Sequence, residues 1–170
     1  MIAAHINKDE IEQSVQEHCY ETADYASLES RSIGLFHTMF LAGLLHDIGK
    51  NTEKFNTYIH NAHQGKKTEK KLNHSSAGAK FIIENITTEN AEESLTKQLI
   101  AYAVMSHHGL NDCLSYDGTD KFSSRLDPDI NEYQEALKNS QDILDISRIE
   151  KLFELSCCEI SSIKKKLSLL

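Results

Sequence analysis

The stretch SIGLFHTMFLAGLLHDIGK, residues 32–50, decides the fold. Leu35, Met39, Ala42 and His46 recur at steps of four, three and four, which is one face of a helix. Phe36, Phe40, Gly43 and Leu44 widen that face until most of the circumference is apolar. A helix apolar nearly all round is buried, so this one belongs at the centre of the molecule. Ser32 is placed to cap its start, and Gly49 to end it in a left-handed turn. The buried helix therefore delivers two polar side chains, His46 and Asp47, at its tail.

The segments around it read as further helices. Residues 10–29 place Ile11, Val15, His18, Thr22 and Tyr25 on one stripe, which puts His18 on the inner face. Thr52 caps a short helix with Phe55, Tyr58, Ile59 and Ala62 turned inward. Residues 63–73 read as a loop carrying Lys66, Lys67, Lys70 and Lys71. A helix runs from about Ser75 to Ile86, with His74 at its start. Another spans about 91–107, with Leu95, Leu99, Tyr102 and Ser106 facing inward, and ends in His107-His108-Gly109. Residues 110–130 are irregular and rich in aspartate, to which no role is assigned. A last amphipathic helix starts from a Ser147–Glu150 capping box and carries Ile149, Leu152, Phe153, Cys157, Ile160, Ile163 and Leu167.

Composition agrees with an all-α fold. The chain has 170 residues, one proline and seven glycines, and its only valines are Val15 and Val104, whereas sheets draw on β-branched residues. A net charge of −8 excludes a basic coat for nucleic acid. Cys19, Cys113, Cys157 and Cys158 form no Cys-x-x-Cys pair, which fits reduced thiols. No apolar run approaches the ~18 residues of a membrane span, and residues 1–10 have no signal-peptide core. A cytoplasmic protein without a membrane partner is expected.

Nine histidines are unusual for this length. His5, His37, His60 and His63 have ordinary explanations as hydrogen-bonded or surface residues. The other five, His18, His46, His74, His107 and His108, fall on four helical segments together with Asp47. Buried polar groups of this kind are costly unless paired or bound to metal. Imidazole and carboxylate suit Fe, Mn, Co, Ni or Zn better than Mg. Five histidines and an aspartate exceed one tetrahedral zinc and suit two metals bridged by a carboxylate, an arrangement that hydrolyses phosphoesters.

The run Leu44-Leu45-His46-Asp47-Ile48-Gly49-Lys50 resembles the signature of the HD superfamily of metal-dependent phosphohydrolases. Together with Glu17-His18-Cys19, Asn73-His74-Ser75-Ser76-Ala77-Gly78 and Ser106-His107-His108-Gly109, it is similar to the HD nuclease domain of the CRISPR-associated type I helicase–nuclease. The resemblance covers about residues 8–160. It implies a helical bundle with a metal site at its centre. His18 and His46 would bind one metal and His74, His107 and His108 a second, with Asp47 bridging. Lys50 would contact the scissile phosphate or protonate the leaving oxygen, making Asp47 and Lys50 the catalytic pair. The implied substrate is single-stranded DNA, fed by a helicase domain or subunit and recruited by an RNA-guided surveillance complex in antiviral defence. Lys66, Lys67, Lys70 and Lys71 would guide the DNA backbone, although a solvated loop explains them equally.

Two departures stand out. The late Leu-x-Asp-Ala-Asp segment of that family has no counterpart, since Asp142 and Asp145 lack its context, and no helicase motif is present. Residues 1–170 are therefore expected to form a single HD nuclease domain lacking its C-terminal helix or helices and any helicase part. Two other readings stay open: an HD phosphohydrolase for nucleotides or cyclic dinucleotides, and an inactive truncated scaffold.

Overall fold

The structure is a computed structural model that describes residues 1–68, 72–126 and 130–169. Helices dominate, as the sequence indicates: α1 Val15–Ser30, α2 Phe36–Leu45, α3 Glu53–His63, α4 Ser75–Asn85, α5 Ala91–Met105, α6 Phe122–Arg125, α7 Ile130–Asn139 and α8 Ile146–Leu167. Short 3-10 turns at Arg31–Ile33, Ile48–Lys50 and Leu110–Asp112 link them. Among the described residues, no helix is long and apolar enough to cross a membrane.

α2 is the axis of the bundle. Every residue from Leu41 to Ile48 is buried, and α1, α5 and α8 all pack on it. Its start differs from the expectation. Ser32 lies in the Arg31–Ile33 turn and caps nothing, and the chain enters α2 through Gly34 at φ 78°. The orphan N–H groups of α2 are met instead by Glu159 of α8. Its carboxylate accepts from His37 N at 2.8 Å, Thr38 N at 2.9 Å and Thr38 Oγ1 at 2.8 Å. A carboxylate at a helix N-terminus also complements the helix dipole.

Burial pushes the Glu159 carboxyl up, but the donors from His37 and Thr38 outweigh it and hold it below the usual range. A lowered folded pKa stabilises above the unfolded value and is lost as pH falls through the folded one. Glu159→Ala is therefore expected to cost about 2 kcal/mol in urea unfolding at pH 7, the scale of charge-assisted hydrogen bonds. The difference from wild type should shrink as pH drops below 4.5, the ordinary value for a glutamate. An unchanged difference at pH 3 would show that the carboxylate is not the stabilising form.

The amino terminus corrects the sequence reading. Residues 10–14 are not helical. β1 (Ala3–Ile6) and β2 (Glu12–Ser14) form an antiparallel hairpin pairing Ala3 with Ser14, His5 with Gln13 and Ile6 with Glu12. Asn7 Oδ1 accepts from the Asp9 and Ile11 amides, which closes the turn. The helix starts only at Val15, where Ser14 and Glu17 make a reciprocal capping box. Ile11 and Tyr25 are exposed, and the buried stripe is Val15, Cys19, Ala23, Ser27 and Ser30. His18 sits at the edge of that stripe.

α5 is also rotated from the expected face. Leu95 and Leu99 are 43% and 44% exposed, while Thr96, Ile100, Ala101, Val104 and Met105 are buried against α2, α4 and α8. α8 is capped by Asp145, whose side chain accepts from Arg148 N, rather than by Ser147. Residues 110–126 hold more order than expected, with the Leu114–Asp120 bridge and α6.

Candidate metal centre

The end of α2 is the core of the site. His46 closes the helix and Asp47 leaves it at φ −121°, so two consecutive side chains enter one buried space. Gly49 does not end the helix in a left-handed turn. It lies within the Ile48–Lys50 turn, and a Cβ there would stand 2.2 Å from the His74 carbonyl oxygen. At Gly78 a Cβ would stand 2.0 Å from the Leu45 carbonyl oxygen. These two glycines let the tail of α2 and the start of α4 touch backbone to backbone, which places His46 and Asp47 beside His74.

Asp47 has two faces. Its Oδ2 lies 2.9 Å from His18 Nε2, 3.1 Å from His46 Nε2 and 2.8 Å from Lys50 Nζ. Its Oδ1 lies 3.3 Å from His74 Nε2 and 3.4 Å from His107 Nε2. His108 joins the second face through His74, Nε2 to Nε2 at 2.7 Å. The ligand atoms of Asp47, His74, His107 and His108 lie within 4.8 Å of one another, as do those of His18, His46 and Asp47.

The ring orientations fix the chemistry. His46 Nδ1 donates to Gly43 O at 2.6 Å, His107 Nδ1 to Val104 O at 2.7 Å and His74 Nδ1 to Leu72 O at 3.1 Å. A carbonyl only accepts, so each Nδ1 carries the proton and each Nε2 turns a lone pair toward Asp47. The Nε2 lone pairs thus confront carboxylate oxygens, which also only accept. Asp47 Oδ1 and His107 Nε2 are buried with no hydrogen-bond partner. Lone pairs crowded on one point are satisfied by a cation, and backbone carbonyls behind metal-bound imidazoles are the usual second shell. The residues, in two ligand groups that share Asp47, fit a divalent metal.

Protonation states agree with this. Burial pushes the Asp47 carboxyl up, but protons on the ring nitrogens of His107, His18 and His46, standing where a cation would, bring it well below the carboxylate range. Burial holds His74 down at about 4, so its ring is neutral and free to ligate at neutral pH. Burial and then Asp47 push the Cys19 thiol up to about 12, which keeps it a thiol beside the centre.

The sequence left His5 aside, yet β1 brings its ring edge-on to His18 with centroids 4.6 Å apart. Burial lowers its pKa, followed by the charges of Lys50 and His18. No spacing signal could reveal this, because the contact crosses from a hairpin to a helix. Lys66 and Lys67 stay outside the cluster and are exposed. Lys67 lines a groove of about 520 Å³ with Lys54, Tyr58, Asn61 and Leu72. Lys70 and Lys71 lie outside the described residues. Asp142 and Asp145 are exposed at the α7–α8 junction and belong to neither ligand group.

The arrangement defines a class of protein, and the sequence comparison agrees. The HD domain family matches residues 15–147, most of the chain. The protein belongs to that family, whose members are metal-dependent phosphohydrolases. No curated protein and no solved structure matches the chain.

Proposed function

We propose that this HD protein hydrolyses phosphodiester bonds of single-stranded DNA, in the manner of the CRISPR-associated HD nucleases its motifs resemble. The observation that supports phosphoester chemistry is the two-faced Asp47, with a separate histidine set on each oxygen. His18 and His46 would hold one divalent metal, and His74, His107 and His108 the other, with Asp47 shared. When bound, such a pair lowers the pKa of water and stabilises the attacking and leaving oxygens of an in-line displacement. Fe, Mn, Co, Ni or Zn suits the donor set better than Mg.

The chain's own groups set the rest. Lys50 is buried, with its ammonium on Asp47 Oδ2 and over the Phe55 ring. It fixes the carboxylate and supplies a cation for the phosphate or the leaving oxygen. The Nδ1 bonds to Gly43, Leu72 and Val104 keep three imidazoles aimed without reorganisation. A cytoplasmic setting, a helicase that delivers the strand and an RNA-guided surveillance complex complete the reading.

A polymer substrate fits better than a free nucleotide. The cavity beside His74 and His108 holds about 140 Å³, below the ~300 Å³ at which pockets begin to enclose a small ligand. Leu72 lines both this cavity and the Lys67 groove, so the two are neighbours. The test compares circular single-stranded DNA, free nucleotides and cyclic dinucleotides in Mn²⁺, Co²⁺ or Ni²⁺. Cleavage of the circle, abolished by chelator, is expected. Turnover of the small substrates alone, turnover of none, or nuclease activity that resists chelation would overturn the proposal.

A further inference from the structure

Arg125, the last residue of α6, belongs to neither ligand group. We propose that it is the positioning residue of the second metal subsite, holding the segments that carry His74 and His108 in register. Its Nη2 donates to Asn73 Oδ1 at 3.0 Å and to Ser75 Oγ at 2.9 Å, the two residues that flank His74. Its Nη1 donates to Asp112 O at 3.0 Å and pairs with Asp112 Oδ1 at 2.8 Å. Asp112 lies on the chain just after His108. One planar guanidinium therefore ties the start of α4 to the chain that leaves α5, a bridge that a point charge on a flexible stem cannot reproduce.

The need for such a tie is local. His46 and His107 are each anchored by a carbonyl three residues back, within their own helical turn. His74 is anchored by Leu72 O, two residues back in the loop before α4. Its ring and that of His108 come from different segments and meet Nε2 to Nε2 at 2.7 Å. Arg125, Asn73, Ser75 and Asp112 line the same cavity as His74 and His108. The α6 end is itself seated by Phe122, which is buried and stacks on Tyr102 with centroids 4.1 Å apart. The guanidinium is thus held from α5 by way of α6 and transmits that placement to His74.

This inference rests on the two-metal reading of the centre. The experiment is a Co²⁺ titration of the full chain, followed by calorimetry and by visible absorption of the bound ion. Wild type should bind two Co²⁺. Arg125→Ala should keep one site at wild-type affinity and weaken the other about 10–100-fold, the range for losing an outer-shell partner. Arg125→Lys should weaken the same site, because the charge remains and the fork is lost. The retained site is the internal control that the variant has folded. Two sites of wild-type affinity in Arg125→Ala would overturn the inference, and so would equal weakening of both. If wild type binds fewer than two Co²⁺, the two-metal reading itself fails and the inference falls with it.

Discussion

Asp47→Asn is expected to empty both of the proposed metal subsites at once. The carboxylate is 2% exposed and offers one oxygen to each histidine set, so an amide removes the shared ligand and its charge together. Metal affinity should fall by more than about 100-fold, beyond what loss of an outer-shell partner costs. Hydrolysis should disappear with it. The same change leaves the Lys50 ammonium, 2.8 Å from Oδ2 and 6% exposed, without its counter-charge. Breaking a buried pair on one side costs about 3–5 kcal/mol. The double variant Asp47→Asn, Lys50→Met should recover much of that stability while still binding no metal, since Met fills a similar volume without the buried charge. Elemental analysis and urea unfolding separate the two effects. Equal metal in wild type and Asp47→Asn would rule out Asp47 as the shared ligand.

Gly78→Ala should be the most damaging small substitution. Its new methyl would stand 2.0 Å from the Leu45 carbonyl oxygen and 3.0 Å from Val104 Cγ1. Backbone on one side and a buried helix on the other leave little room to yield, so α4 must move off α2. Overpacking of this kind costs about 3 kcal/mol, which lowers the melting temperature of a chain of this size by about 6–12 °C. Gly49→Ala should behave alike, because its methyl would meet the His74 carbonyl at 2.2 Å. Both should also weaken metal binding, because they displace His74 from Asp47. Gly118→Ala is the control. Nothing lies within 4 Å of a Cβ there, and only its φ of 79° opposes the change, at about 1 kcal/mol. A Gly78→Ala protein that melts with the Gly118→Ala control would contradict the close approach of α2 and α4.

Much of this architecture was legible in the sequence, because its strongest signals are one-dimensional. The apolar run of 35–48 identifies the central helix, and an apolar stretch that ends in His46-Asp47 puts polar ligands in a buried place. The five histidines that the spacing groups with Asp47 are the ones the fold gathers around it. What escaped is set by partners distant along the chain. Strands of four and three residues are too short to show alternation, so residues 10–14 at the end of the hairpin read as the start of a helix. Leu95 and Leu99 look like an inner stripe, but the buried positions of α5 are Thr96 and Ile100, one residue further round. Glu159, which caps α2 from 122 residues away, and Arg125, which reaches Asn73, 52 residues back, carry no local pattern at all. Gly49 reads as a helix terminator until the His74 carbonyl shows that it is a contact surface.

The imidazole anchors of His46 and His107 have a thermodynamic consequence. Each ring is clamped by a carbonyl of the last turn of its own helix, Gly43 in α2 and Val104 in α5. Unwinding that turn frees the ring, and a freed ring no longer offers a prealigned lone pair. Ligand capture and the winding of two helix ends are therefore linked equilibria. Whatever free energy a bound cation supplies is shared with the final turns of α2 and α5, which would otherwise be the places where these helices fray.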